Sequence, residues 1–277
     1  MGPSGCGKSV FLRLLTGYER PTKKCHILFG KDDLWIDRER VLDILGYVPQ
    51  AEIMIPELRV AESLDYRMRF RSPGSGPQQR REQIRKTCAM LGLGDLDKLF
   101  AKPVGSPESR GEYPSGGERR RINIAHEVLS QPRVLFMDEP TSGLAAIEAY
   151  DLIKQMRLLA ETRSIPIVMT IHAPGRDTFD CFDDVLVVGM GGVLGYYGWR
   201  EKVVDYFRET TPVGYLNENP AEYVLKCVPN DLYAGAQAAR CFKEKRDQPG
   251  FEFLHKPWPL EANQAPHAPG SAATQRT

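Results

Sequence analysis

Gly2-Pro3-Ser4-Gly5-Cys6-Gly7-Lys8-Ser9 sets three glycines, a lysine and a serine in the spacing G-x-x-x-x-G-K-S. Glycines at these positions let consecutive backbone N–H groups curl around phosphate oxygens, where a side chain would stand in the way. Val10, Phe11, Leu14 and Leu15 follow at helical spacing and Gly17 stops the run, so the pattern predicts a short buried helix over residues 8–16. Its positive end faces the same anion. Lys8 is placed to reach β- and γ-phosphates, and Ser9 to hold Mg²⁺. A strand normally carries such a loop, yet only Met1 stands ahead of Gly2. The expectation is therefore a sequence that lacks its first strand, as a fragment or a late start would.

Further along, apolar runs alternate with amphipathic ones. Residues 44–48 read as a strand ending at Pro49, and 60–70 and 78–91 as helices joined by Ser72-Pro73-Gly74-Ser75-Gly76-Pro77. Residues 134–137 form a fully apolar strand. Ala149, Ile153, Met156 and Ala160 then repeat at helical spacing, widened by Leu152 and Leu159. Residues 165–171 and 185–188 read as two more buried strands, with a helical segment around Phe179. This alternation implies an α/β fold built on a mainly parallel sheet covered on both faces. The expected division is a discontinuous core, 1–55 and 130–228, with a helical subdomain inserted over 56–129. Residues 229–277, with Pro249, Pro257, Pro259, Pro266 and Pro269, read as a flexible tail or linker.

The strand Leu135-Phe136-Met137 runs into Asp138-Glu139-Pro140. Carboxylates at the carboxyl end of a buried strand sit beside the ligand crevice of an open α/β sheet. Asp138 there would support Mg²⁺, and Glu139 would act as general base on an attacking water.

Composition narrows the classes. Lys and Arg number 37 against 36 Asp and Glu, a net +1 that gives no global field for nucleic acid or an anionic membrane. No apolar run reaches the ~20 residues of a membrane helix; the nearest, 185–199, is broken by five glycines. Cys6, Cys25, Cys88, Cys181, Cys227 and Cys241 form no C-x-x-C pair, which fits reduced thiols better than a disulfide framework or a zinc site.

Three further segments carry a family resemblance. Tyr113-Pro114-Ser115-Gly116-Gly117-Glu118-Arg119-Arg120-Arg121 resembles the signature motif of ABC ATPases, Tyr47-Val48-Pro49-Gln50 their Q-loop, and Ile171-His172-Ala173-Pro174 their switch histidine. The order of motifs and their spacings match the family over residues 2–228. The resemblance implies a phosphate-loop ATPase core that binds ATP and Mg²⁺. Residues 2–9 would hold the phosphates, while Gln50 would contact the metal and the lytic water. His172 would sense the γ-phosphate, and Ser115, Gly116, Gly117 and Glu118 would form an anion site offered to the nucleotide of a second ATPase domain. Arg119–Arg121 are expected only to form a solvated basic face. Asp177-Thr178-Phe179, Gly191-Gly192-Val193 and Asn219-Pro220-Ala221-Glu222-Tyr223 resemble the G subfamily, the white-pigment and pleiotropic-drug-resistance type.

The implied function is ATP hydrolysis that powers a membrane transporter through head-to-tail dimerisation, at the cytoplasmic face of a membrane, with membrane helices supplied elsewhere and lipids or other hydrophobic compounds as cargo. A weakly hydrolysing or regulatory ATP-binding module, or a piece of a half-transporter, is the alternative. Ala145 supports it, because it stands where the family places a subunit-bridging aspartate, in Ser142-Gly143-Leu144-Ala145.

Overall fold

The computed structural model describes residues 1–228 except Pro107 and Arg110. The expected tail, 229–277, lies outside the described residues. The phosphate loop leads into α1 (Lys8–Leu15), followed by β1 (Leu28–Phe29), β2 (Asp32–Asp33), α2 (Arg38–Ile44) and β3 (Leu45–Val48). Four helices come next: α3 (Val60–Arg71), α4 (Pro77–Met90), α5 (Leu96–Ala101) and α6 (Gly116–Val128). The chain continues through β4 (Val134–Met137), α7 (Ala146–Arg163), β5 (Ile167–Met169) and α8 (Arg176–Phe179). It then forms β6 (Asp184–Gly189), β7 (Val193–Trp199), α9 (Arg200–Thr210) and α10 (Pro220–Cys227).

β3, β4 and β5 form a parallel sheet in that order, with Val48 opposite Met137 and Met137 opposite Met169. β4 is apolar throughout because both of its faces are covered. Leu135 and Met137 enter a core shared with α3, α4, α6 and α7, whereas Phe136 enters a second core with Leu12, Leu34, Val41 and Leu45. The four helices between β3 and β4 thus pack on the sheet through one continuous set of side chains, from Val48 through Leu64 and Ile124 to Leu135.

Two expectations are corrected. The strand read at 185–188 does not join the parallel sheet; β6 pairs antiparallel with β7. Gly191 and Gly192 adopt φ of 78° and 75°, which lets the chain reverse within a tight turn and makes the adjacent segment the nearest partner. A cleft of about 680 Å³ separates β5 from β6, lined by Ile167, Met169, Ile171, Val185 and Met1. Helix α1 forms as expected, yet Val10 and Phe11 are exposed, and its buried residues are Lys8 and Leu12. The apolar spacing pointed to the wrong side of that helix because the lysine, not the valine, faces the loop.

His126 on α6 is half-buried, its Nε2 within 3.0 Å of the Ser63 hydroxyl on α3. Burial, reinforced by the charge of Arg67, pushes its pKa down to about 4. The unfolded value is about 6.5, so the unfolded chain takes up the proton first as pH falls. Stability present above about pH 6.5 is therefore lost toward pH 4, by about 3 kcal/mol in full. Glu127 acts in the opposite direction, since burial raises its pKa. Denaturant titrations of parent and His126→Gln should give a stability–pH slope in this window that is steeper in the parent.

The N-cap of α7 is Ala145, whose φ of −64° and ψ of 155° suit that place but whose methyl accepts nothing. Only Glu148 closes this end, accepting from the Ala145 N–H at 3.2 Å. Ala145→Asp should therefore stabilise the isolated chain by about 1 kcal/mol, read as a higher melting temperature, before any partner is involved.

Candidate functional site

The phosphate loop is hung from β6, where the Val188 N–H donates to the Met1 carbonyl at 2.8 Å. A Cβ at Gly2 would lie 2.1 Å from the Val188 carbonyl oxygen, so only glycine fits against that strand. The turn after β6 supports the loop's far side, with the Gly192 N–H donating to the Cys6 carbonyl at 2.9 Å. Gly7 takes φ of 105° where the loop enters α1. The buried Lys8 ammonium is drawn inward and donates to the carbonyls of Gly2 and Pro3, each at 2.9 Å. An ammonium has three donors, so one stays available to an anion in the loop.

The parallel pairing of β3 with β4 brings two chain exits side by side. The Asp138 N–H donates to the Val48 carbonyl, and two residues past β3 the Gln50 amide nitrogen donates to the Glu139 carboxylate at 2.9 Å. Asp138 is 4% exposed, and its Oδ1 accepts from the Ser9 hydroxyl at 3.0 Å and from the Thr170 hydroxyl at 2.6 Å. Thr170 also accepts the Glu139 N–H at 2.8 Å, which holds Glu139 at φ of 44°. Phosphate loop, Q-loop and acidic strand end therefore meet. Thr170 was missed from the sequence; its only signal is a hydroxyl at the end of a strand, two residues before His172.

The arginine triplet is corrected most. Arg120 is 4% exposed rather than solvated. Its Nε donates to the Pro140 carbonyl at 3.0 Å. Nη1 donates to Pro49 at 3.2 Å and Gln50 at 2.8 Å, and Nη2 to Asp138 at 3.2 Å and Glu139 at 2.6 Å. Burial lowers its pKa, while Glu52, Asp138 and Glu139 act against that. Arg119 pairs with Glu52 at 3.2 Å, and Arg121 donates to Gln155 on α7. The helical stripe Gly117, Arg120, Ile124, Val128 marks residue 120 as facing inward, a signal available in the sequence.

At the start of α6, Ser115 accepts the Glu118 N–H at 3.1 Å and Glu118 accepts the Ser115 N–H at 2.7 Å, a reciprocal cap. Among the described residues no hydrogen bond joins Ser115, Gly116, Gly117 or Glu118 to the phosphate loop. His172 is exposed and makes no hydrogen bond to Glu139 or Gln50. The loop after it is held by Asn219, which donates to the Pro174 carbonyl at 2.8 Å and caps α10 through the Ala221 N–H.

Ser9 and Asp138 supply two hard oxygen donors side by side, which fits Mg²⁺, an ion that keeps most of its shell for water and phosphate. A glycine loop opening a helix beside a buried carboxylate on a parallel sheet defines a nucleotide-binding protein of the phosphate-loop class. The family model described as ABC transporter matches residues 1–142, just over half of the chain. The chain belongs to the ABC transporter family. It is 36% identical over 237 residues to ABC transporter G family member 10 of Dictyostelium discoideum, covering 82% of this chain and 16% of that protein. ABC transporter G family members 13 and 28 of Arabidopsis thaliana are 33% and 31% identical, covering 84% and 99% of this chain and 33% and 24% of their own lengths. The chain thus spans a third or less of each of these relatives.

Thr170→Val keeps the side chain's shape but strips one donor from Asp138 and the acceptor from the Glu139 N–H. Chemical denaturation should show a loss of about 1–3 kcal/mol, most of it recovered in Thr170→Ser.

Proposed function

We propose that this chain is the ATP-binding and ATP-hydrolysing part of an ABC-type membrane transporter. The observation that carries the reading is the Gln50–Glu139 hydrogen bond formed beside the Ser9–Asp138 pair, four residues from three separate segments. Lys8 and the amides of residues 2–9 bind the phosphates. Ser9 and Asp138, with Gln50, would hold Mg²⁺, which supplies charge neutralisation on the phosphate oxygens. Glu139 takes the proton of the attacking water, and Gln50 keeps that carboxylate oriented toward it. His172, exposed on its loop, is free to meet the γ-phosphate. The reciprocal cap at Ser115 leaves the start of α6 pointing to solvent, where a second ATPase domain in head-to-tail arrangement would present its nucleotide. Closure of two such domains assembles each site, and hydrolysis reopens it.

The membrane partner, the cytoplasmic-face location and the hydrophobic or lipid cargo extend the same reading. They draw on relatives named as transporters, of which this chain covers a minor part. Among the described residues no helix is long and apolar enough to cross a membrane. Ala145, exposed and without a carboxylate, favours weaker coupling between the two sites than the family pattern implies.

Glu139→Gln keeps the side chain's shape and removes its basicity. Steady-state ATPase should fall at least ~100-fold while ATP affinity in a direct titration holds. Unchanged turnover would place the base on another residue.

A further inference from the structure

Arg120 is used by none of the roles above, yet it sits at the joint between three of their segments. A guanidinium has five N–H donors in a fixed planar fork. Here they meet five backbone carbonyls, two in the Q-loop (Pro49, Gln50) and three after β4 (Asp138, Glu139, Pro140). These carbonyls lie where β3 and β4 have run out of ladder partners, the last such bond being Asp138 N–H to Val48. None of the five acceptors is a carboxylate, so the group is not placed there as an ion pair. Burying a guanidinium without a direct counter-ion is unfavourable, and the compensation is the backbone it organises. Lysine, with three donors on a flexible stem, cannot span the same set.

We propose that Arg120 is a positioning residue for hydrolysis: it ties the first turns of α6 to the backbone of Gln50 and Glu139, so the seating of α6 sets where those two side chains stand. α6 is capped by Ser115 and opens with Gly116 and Gly117, and Arg120 lies one turn further on. A displacement of that helix therefore pulls on both sides of the Gln50–Glu139 hydrogen bond at once. The inference rests on the reading of the chain as an ATPase, with Glu139 as base. Arg120 itself touches neither nucleotide nor water; it acts through the carbonyls it holds.

The test compares the 277-residue chain with Arg120→Lys and Arg120→Met. Arg120→Met removes the buried charge and keeps much of the stem, so it folds even where Arg120→Lys does not. Amide hydrogen exchange is followed by mass spectrometry, with MgATP turnover and ATP titration alongside. Peptides covering residues 49–52 and 138–142 should exchange about tenfold faster in either variant, as local opening becomes easier, while those covering residues 2–9 stay unchanged. The kcat should fall by about 10- to 100-fold, with KM for ATP within about twofold of the parent. Parent-like exchange at both segments overturns the proposal. So does faster exchange with undiminished kcat, and so does a rise in KM that accounts for the whole loss, which would mean a general loosening of the nucleotide site. If the parent shows no turnover, the ATPase reading fails, and the exchange comparison alone then decides whether Arg120 anchors these segments.

Discussion

The carboxylate of Asp138 is almost wholly removed from water at the end of β4, and a buried carboxylate is tolerated only where donors meet it. Hydroxyls from two other segments do so on the same oxygen: Ser9 at the start of α1 and Thr170 at the end of β5. Each hydrogen bond to a charged group contributes about 1.5–3 kcal/mol, so this pair links the phosphate loop, the central strand and its neighbour with energies that matter to a marginally stable fold. The constraint also runs outward. Thr170 donates to Asp138 and accepts the Glu139 N–H, Glu139 takes a left-handed backbone conformation, and its carboxylate accepts from Gln50.

A second arrangement holds the same region from the opposite side. Strand ends leave carbonyls without partners, and buried carbonyls must find donors. At the ends of β3 and β4 five carbonyls accept from one side chain, Arg120, and that of Glu139 also accepts the Ser142 N–H. The site thus combines hydroxyls on a carboxylate with a guanidinium on neutral carbonyls. Neither depends on ion pairing, which makes both less sensitive to salt than the exposed pairs elsewhere on the surface, such as Lys86 with Glu82.

The start of α6 shows how one element serves two requirements. Ser115 and Glu118 satisfy each other's backbone donors, which stabilises the helix within this chain. Ser115 and Gly116 nonetheless remain exposed, so the positive end of the helix stays open to an anion brought from outside. Asn219 both caps α10 and donates to the Pro174 carbonyl, which connects the last described helix to the loop bearing His172.

The sequence by itself determined what local chemistry encodes. The glycine loop announces a turn with free amides, the unbroken apolar run 134–137 a strand covered on both faces, and the acids that follow it a site at a strand's end. The parallel set β3, β4 and β5 and helices α1, α3, α4 and α7 follow from such patterns. The tertiary structure alone decided pairing and burial, because these depend on residues distant along the chain. β6 reads like any buried strand, but the two-glycine turn after it delivers β7 as a nearer partner than β5. Val10 and Phe11 look like core residues until Leu12 and Lys8 take the inward positions. Arg120 looks like one of three surface charges, and Thr170 like an ordinary strand end. Their roles exist only once carbonyls from residues 49–50 and 138–140, and the carboxylate of Asp138, converge on them.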